Sequence, residues 1–236
     1  MATDKKYIDD LATFQKHAGI AFKNETLLET AFTHRSYLNE AHMVDREHNE
    51  RLEFLGDAVL ELSVTAYLFK AYPAASEGDL TAYRAALVNA VMLGGIAETL
   101  GMNECLLLSK GEAKDMGRAR ATILANTFEA VVGALYLDQG FQAANDFIVR
   151  HVVPKMQEVI EKGAWRDAKS VFQELAQAKY AATPAYQTVR TEGPDHAKHF
   201  VVSVSVDGRV MAEGEGQSKQ EAEQMAAEKA LKKENT

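Results

Sequence analysis

From about residue 6 to about residue 163 apolar residues recur at spacings of three and four, with long stretches free of proline. That period sets the apolar side chains on one face of successive α-helices. Leu27, Leu28, Ala31 and Phe32 show it, and so do Leu80, Tyr83, Leu87 and Val91 on a helix preceded by a turn at Gly78. Gly94-Gly95 is expected to weaken or break that helix. Gly56 and Gly133 stand inside strongly helical runs, where each costs about 1 kcal/mol relative to alanine. A close approach of two helices would account for them, as would simple tolerance.

The period changes beyond Lys162-Gly163-Ala164-Trp165-Arg166-Asp167, which reads as a linker. Ser170 to Tyr180 is helical in pattern, with Val171, Phe172, Leu175 and Ala176 apolar. Pro184 to Arg190 reads as a strand. Phe200, Val202, Val204 and Val206 alternate with mostly serines, the period of a half-buried strand. Asp207-Gly208 is a hairpin turn signal, and Val210 to Glu215 supplies a third strand. Ser218 and Glu221 have the spacing of a capping box opening a last helix. The pattern predicts an all-α domain over residues 6–163 and a small α+β domain of order αβββα over residues 168–234.

Two of the apolar helices carry rows of oxygen-bearing side chains. Glu50, Glu53 and Asp57 lie at i, i+3 and i+7, on one helical face. Like charges so placed repel by a few tenths of a kcal/mol per pair, on the order of 0.2–0.5. Asn126 and Glu129 form a second row on Ile123–Asp138. Taken alone, either row also fits a solvated, acid-decorated face. Taken together they point to a cation between two helices. Oxygen-only donors favour Mg²⁺ over iron or zinc, and the Glu-x-x-His pair of di-iron bundles is missing from the sequence.

Composition narrows the class. The net charge of −8 counts against nucleic acid on a simple reading, because phosphate binders are usually basic. Carboxylates that hold cations would offset part of it. The single cysteine, Cys105, excludes an internal disulfide framework and fits a reducing compartment. Within Glu104-Cys105-Leu106-Leu107-Leu108 it reads as a buried thiol. The charged N-terminus has no apolar signal region, and no apolar run approaches the ~20 residues that span a bilayer. A cytoplasmic location without membrane contact is expected.

These segments resemble the ribonuclease III family. Glu50-Arg51-Leu52-Glu53-Phe54-Leu55-Gly56-Asp57-Ala58 matches the family's nine-residue core pattern residue for residue. Ile123–Asp138 is similar to its second acidic helix. The likeness also takes in Ala31-Phe32-Thr33-His34-Arg35-Ser36-Tyr37-Leu38-Asn39-Glu40 and Glu77-Gly78-Asp79-Leu80, and the C-terminal part resembles a double-stranded-RNA-binding domain. The resemblance implies a homodimeric endoribonuclease, dependent on Mg²⁺ with Mn²⁺ as a substitute. It would leave 5′-phosphate and 3′-hydroxyl ends with short 3′ overhangs on double-stranded RNA, in ribosomal RNA precursors and structured transcripts.

Residue by residue, the resemblance makes Glu53, Asp57 and Glu129 metal ligands and catalytic groups. It sets Glu50 and Glu77 near the scissile RNA backbone or metal-bound water. Phe54 matches an aromatic that plugs a pocket on the partner subunit, although the residue alone reads as core. His34 could suggest acid–base chemistry, but reads rather as a structural histidine capping or bridging helices. Gln173 and Glu174, His196 in the Gly193–His196 loop, and Ser218 with Lys219 match the three RNA-contacting regions of the second domain. Gln220 stands where a second lysine is common, leaving Lys219 more isolated.

Asn126 departs from the family's aspartate. Its carbonyl can ligate Mg²⁺ without charge, directly or through water, with lower affinity. Alternatively the site is crippled and the chain is a non-catalytic double-stranded-RNA-binding regulator. On the first reading Asn126→Asp lowers the Mg²⁺ needed for half-maximal cleavage.

Overall fold

A computed structural model describes residues 5–40, 46–114, 117–162, 168–193 and 198–234. The chain divides into two compact units, Met1–Trp165 and Arg166–Thr236.

The described part of the first unit is helical: α1 Lys5–Ala18, α2 Glu25–Ala31, α3 Arg35–Glu40, α4 Glu50–Ala71, α5 Glu77–Leu87, α6 Ala90–Thr99, α7 Met102–Cys105, α8 Arg118–Gln139, α9 Phe141–His151 and α10 Met156–Lys162. Side chains set several starts. Asn24 Oδ1 accepts from Thr26 N at 3.1 Å to open α2. Ser76 and Asp79 form a reciprocal capping box on α5, satisfying two amides that a helix end leaves orphaned. The expected break at Gly94-Gly95 falls earlier, at Val88-Asn89. There Asn89 accepts from Met92 N and starts a new helix, α6, that contains both glycines. Capping chemistry outweighs the low helix propensity of glycine at that point.

The 22-residue helices α4 and α8 make the most extensive helix–helix packing among the described residues. Around them Phe14, Phe32, Leu60, Phe128, Leu135 and Phe147 are fully buried. A Cβ on Gly56 would overlap the Glu129 carbonyl, and one on Gly133 would overlap the Leu52 carbonyl. The two backbones therefore touch at this crossing, and only hydrogen side chains fit there. The start of α4 is pinned as well: Asn49, 2% exposed, donates through its backbone N to Thr33 O at 2.9 Å and through Nδ2 to Ala31 O at 3.3 Å.

The second unit is α11 Ala168–Tyr180, the strands β1 Ala185–Glu192, β2 His199–Val206 and β3 Arg209–Gly216, and α12 Lys219–Glu234. The sheet is antiparallel in the order β1-β2-β3. Asp207 and Gly208 both have positive φ, 48° and 77°, the left-handed pair that a two-residue hairpin requires. Phe172, Ala176, Val204, Val206, Ala212, Ala226, Ala227 and Ala230 form its core. Burial on β2 is less alternating than its sequence predicts. Val201 and Ser203 are buried too, because β2 lies between two neighbours. Among the described residues no single helix is long and apolar enough to cross a membrane.

Candidate active site

Glu53 and Asp57 lie one turn apart on α4, with Gly56 between them; Asn126 and Glu129 lie one turn apart on α8, with Gly133 one turn further. The glycine crossing therefore brings the two polar rows face to face. Their electrostatics show the convergence. Burial, then the charges of Asp57 and Glu53, push the Glu129 carboxyl up to about 7. Burial and then the charge of Glu50 raise Glu53, a hydrogen bond from Asn126 opposes the rise, and Asp57 adds to it. Like charges crowded in a half-buried setting disfavour ionisation.

Glu50 sits at the edge of this group beside Arg35 and His48. Arg35 Nη1 is 3.3 Å from one carboxylate oxygen and His48 Nδ1 is 3.8 Å from the other. Arg35 is carried there by a fixed corner. Thr33 bridges to Leu107, His34 N donates to Leu107 O at 3.1 Å, and His34 Nδ1 lies 2.8 Å from Ser36 Oγ. Ser36 Oγ in turn accepts from Ser109 N at 3.1 Å. Burial holds the His34 imidazole below its ordinary value, consistent with a bridging histidine. Glu77 lies on the first turn of α5, exposed, with Thr81 Oγ1 donating to its carboxylate at 3.4 Å; the acids acting on Glu53 are Glu50 and Asp57, and those acting on Glu129 are Asp57 and Glu53.

The donors fit a hard divalent cation: carboxylates and one amide, all oxygen-bearing. Among the described residues no three His, Cys, Asp or Glu side chains are already closed to ion-holding geometry. The acids share a field across the crossing without forming a finished cage.

Phe54 is 82% exposed, although it stands between buried positions in an apolar run. Leu62 and Phe69, 58% and 72% exposed, lie on the same face of α4. A cavity of about 690 Å³ opens beside Phe54, walled by Leu27, Leu52, Leu55 and Leu137 with His48 and Glu50 at its polar side.

In the second unit Gln173 and Glu174 are exposed on α11, and Lys219 is exposed as the first residue of α12. Ser218 Oγ accepts from Glu221 N at 3.1 Å. The Glu221 carboxylate accepts from Gln217 N at 2.7 Å, one residue ahead of the amide that a capping box uses. His196 lies outside the described residues. Sequence reasoning missed Asp138, whose carboxylate accepts from Lys23 N at 2.8 Å and Asn24 N at 3.0 Å and so fixes the entry to α2. It also missed the Arg35–Glu50 pair. Neither partner is a sequence neighbour, so no local pattern could have announced them.

Residues 24–156 match the family model described as ribonuclease-III-like, and residues 168–234 match the double-stranded RNA binding motif. Ribonuclease 3 of Streptococcus gordonii is 48% identical over 92% of this chain and 93% of its own length. Ribonuclease 3 of Anoxybacillus flavithermus is 46% identical over 99% and 97%. Among solved structures, the nuclease domain of ribonuclease III from Campylobacter jejuni, described for flexibility in its dimer-forming region, is 37% identical with a TM-score of 0.55. The match covers 60% of this chain and 95% of that one. With a helical nuclease unit whose two acidic rows converge, followed by a double-stranded-RNA-binding unit, the chain belongs to the ribonuclease III family and is a double-strand-specific endoribonuclease.

Proposed function

We propose that the chain hydrolyses double-stranded RNA with Mg²⁺ at the α4–α8 crossing, Mn²⁺ serving as a substitute. The observation that carries this reading is the backbone contact of α4 and α8 at Gly56 and Gly133, which brings the charges of Asp57 and Glu53 to bear on Glu129. Glu53, Asp57 and Glu129 would hold the ion, with the Asn126 side chain beside them. Bound there, Mg²⁺ would supply Lewis acidity and a more acidic water. The chain's own part is positional and electrostatic. The close crossing at Gly56 and Gly133 would keep Glu53, Asp57 and Glu129 from separating, and a bound cation would offset the crowding that raises Glu129. Glu50, tethered by Arg35 and His48, and Glu77 from α5 face the RNA backbone beside the scissile bond. No serine or cysteine is required as a nucleophile. Cys105 is buried, and burial pushes its thiol up to about 12.

The products of this chemistry are 5′-phosphate and 3′-hydroxyl ends with short 3′ overhangs, made by two copies of the site in a homodimer. Ribosomal RNA precursors and structured transcripts in the cytoplasm are the proposed substrates. A-form RNA is read by shape, through 2′-hydroxyls and phosphates. Gln173, Glu174, His196, Ser218 and Lys219 are the proposed contacts of the second unit. Support for the dimer comes from the three large apolar side chains Phe54, Leu62 and Phe69, which α4 leaves exposed along one side.

A second reading, a regulator that binds duplex RNA without cutting it, draws on the missing charge at Asn126. Incubating a long RNA duplex with the purified chain separates the two. We expect fragments with Mg²⁺, none with chelator, and none from Glu129→Ala, which still binds the duplex. Binding without cleavage by the native chain at any Mg²⁺ or Mn²⁺ level would select the regulator.

A further inference from the structure

The connection from α1 to α2 is tied down by side chains of α1, α8 and α9. Phe22 N donates to Gln15 Oε1 at 2.7 Å. Gln139 Nε2 donates to Ala21 O at 2.9 Å, and Arg150 Nη1 donates to Gly19 O at 2.9 Å. Asp138 takes the last two amides before α2. Lys23 N donates to its Oδ2 at 2.8 Å and Asn24 N to its Oδ1 at 3.0 Å, and Gln139 Nε2 braces Oδ2 at 2.9 Å. A carboxylate in the last turn of a helix faces the negative end of its dipole, so Asp138 is unfavourable for α8 taken alone. Its two amides offset that across the fold. The same two elements wall the cavity beside Phe54: Leu137 comes from α8, and Asn24, Thr26, Leu27 and Thr30 come from the start of α2. A helix of seven residues does not hold its place unaided. Burial of Leu28 and Ala31 secures one side of α2, and the Asp138 tether sets the end that meets Leu137.

We propose that Asp138 is a positioning residue for dimerisation: by joining Leu137 of α8 to the entry of α2, it holds the cavity at the width that the Phe54 ring of a second copy needs. The proposal rests on the homodimer reading above and adds to it the group that shapes the receiving side. Phe54 is exposed at the rim of the cavity, so a two-fold axis can bring each ring to the other protomer's cavity. A ring gains from its walls only at close contact, and a gap of roughly 0.5–1 Å forfeits a quarter to a half of the attraction. Wall spacing is therefore an affinity term, and one carboxylate sets it twice per dimer. A carboxylate that only secured the connection would serve folding and leave association alone. Arg150 is a tether of that kind. It holds Gly19, at the far end of the connection, and neither residue lines the cavity among the described residues.

Sedimentation of the full chain across a dilution series tests this. Asp138→Asn keeps the shape of the side chain but offers one carbonyl oxygen where two carboxylate oxygens accept. It is expected to keep native circular dichroism and to weaken the dimer about tenfold, the scale of a charge-assisted hydrogen bond. Arg150→Gln is expected to keep the native dissociation constant. Phe54→Leu leaves a smaller side chain for the walls to grip. In that background Asp138→Asn is expected to cost no more than about threefold, a coupling that a double-mutant cycle reads and that a general loss of stability would not produce. A native dissociation constant for Asp138→Asn overturns the proposal. So does an equal loss in both Phe54 backgrounds, a loss matched by Arg150→Gln, or an unfolded Asp138→Asn chain, which would make the tether a folding element. A native chain that is monomeric at every concentration overturns the homodimer reading itself, and the proposal with it.

Discussion

Burial and the charges of Asp57 and Glu53 move the Glu129 carboxyl from 4.5 to about 7. The sign of its effect on stability follows. Between those values the folded chain keeps a proton that the unfolded chain has released, so this group's contribution falls as pH rises through the window. Metal competes with that proton. We expect the Tm of the metal-free chain to decline from about pH 5 to about pH 7.5, and Mg²⁺ to abolish much of the decline by binding more tightly as Glu129 ionises. Glu129→Gln should flatten the metal-free profile. A native profile already flat across this range would show that Glu129 is not held protonated by its neighbours. At this scale the acids were readable in the sequence, because polar residues interrupting an apolar period stand out. Their tethers were not. Arg35 reaches Glu50 from another helix, and Asp138 caps an amide 115 positions away, and neither leaves a local trace.

The crossing of α4 and α8 turns two separate rows into a site, and it depends on Gly56 and Gly133. Alanine at either would gain about 1 kcal/mol of helix propensity but would drive its methyl group into a backbone carbonyl, which cannot yield as a flexible side chain could. Overpacking of this kind costs typically about 1–3 kcal/mol. We expect Gly56→Ala and Gly133→Ala to be net destabilised and to bind Mg²⁺ more weakly, as the helices spread and the acids separate. Gly95→Ala on α6, where a Cβ meets nothing within 4 Å, is the control and should gain stability. Equal stability of all three, read by chemical denaturation, would contradict a tight crossing. The elements themselves followed from periodicity, including the hairpin turn at Asp207-Gly208. The division between α5 and α6 did not, because a glycine pair looks like a break when viewed locally. Here Gly94 instead packs closely on the Ala121 carbonyl of α8, and Asn89 makes the break.

At the scale of the whole chain, a net charge of −8 must be reconciled with a polyanionic substrate. On the proposed reading, part of the answer would be the cation load and part dimerisation, which would link two sets of contacts on one duplex and raise effective concentration. The surface proposed for that dimer is the outer face of α4. Phe54, Leu62 and Phe69 are exposed at positions 0, 8 and 15 along it, and the cavity beside Phe54 has apolar walls large enough for an aromatic ring. A two-fold axis makes such an interface self-complementary, so each ring fills the other protomer's cavity and a single substitution removes two contacts. A buried aromatic anchor is commonly worth about 2 kcal/mol or more, which at two per dimer predicts a loss of roughly a thousandfold in association. Because Phe54 is exposed in the single chain, its removal should leave the folding of the unit intact. Sedimentation of Phe54→Ala, and of Phe54→Asp with its added charge, should therefore give folded monomers with unchanged circular dichroism where the native chain is dimeric. A native-like dimer from both would mean that α4 is covered by something other than its own copy.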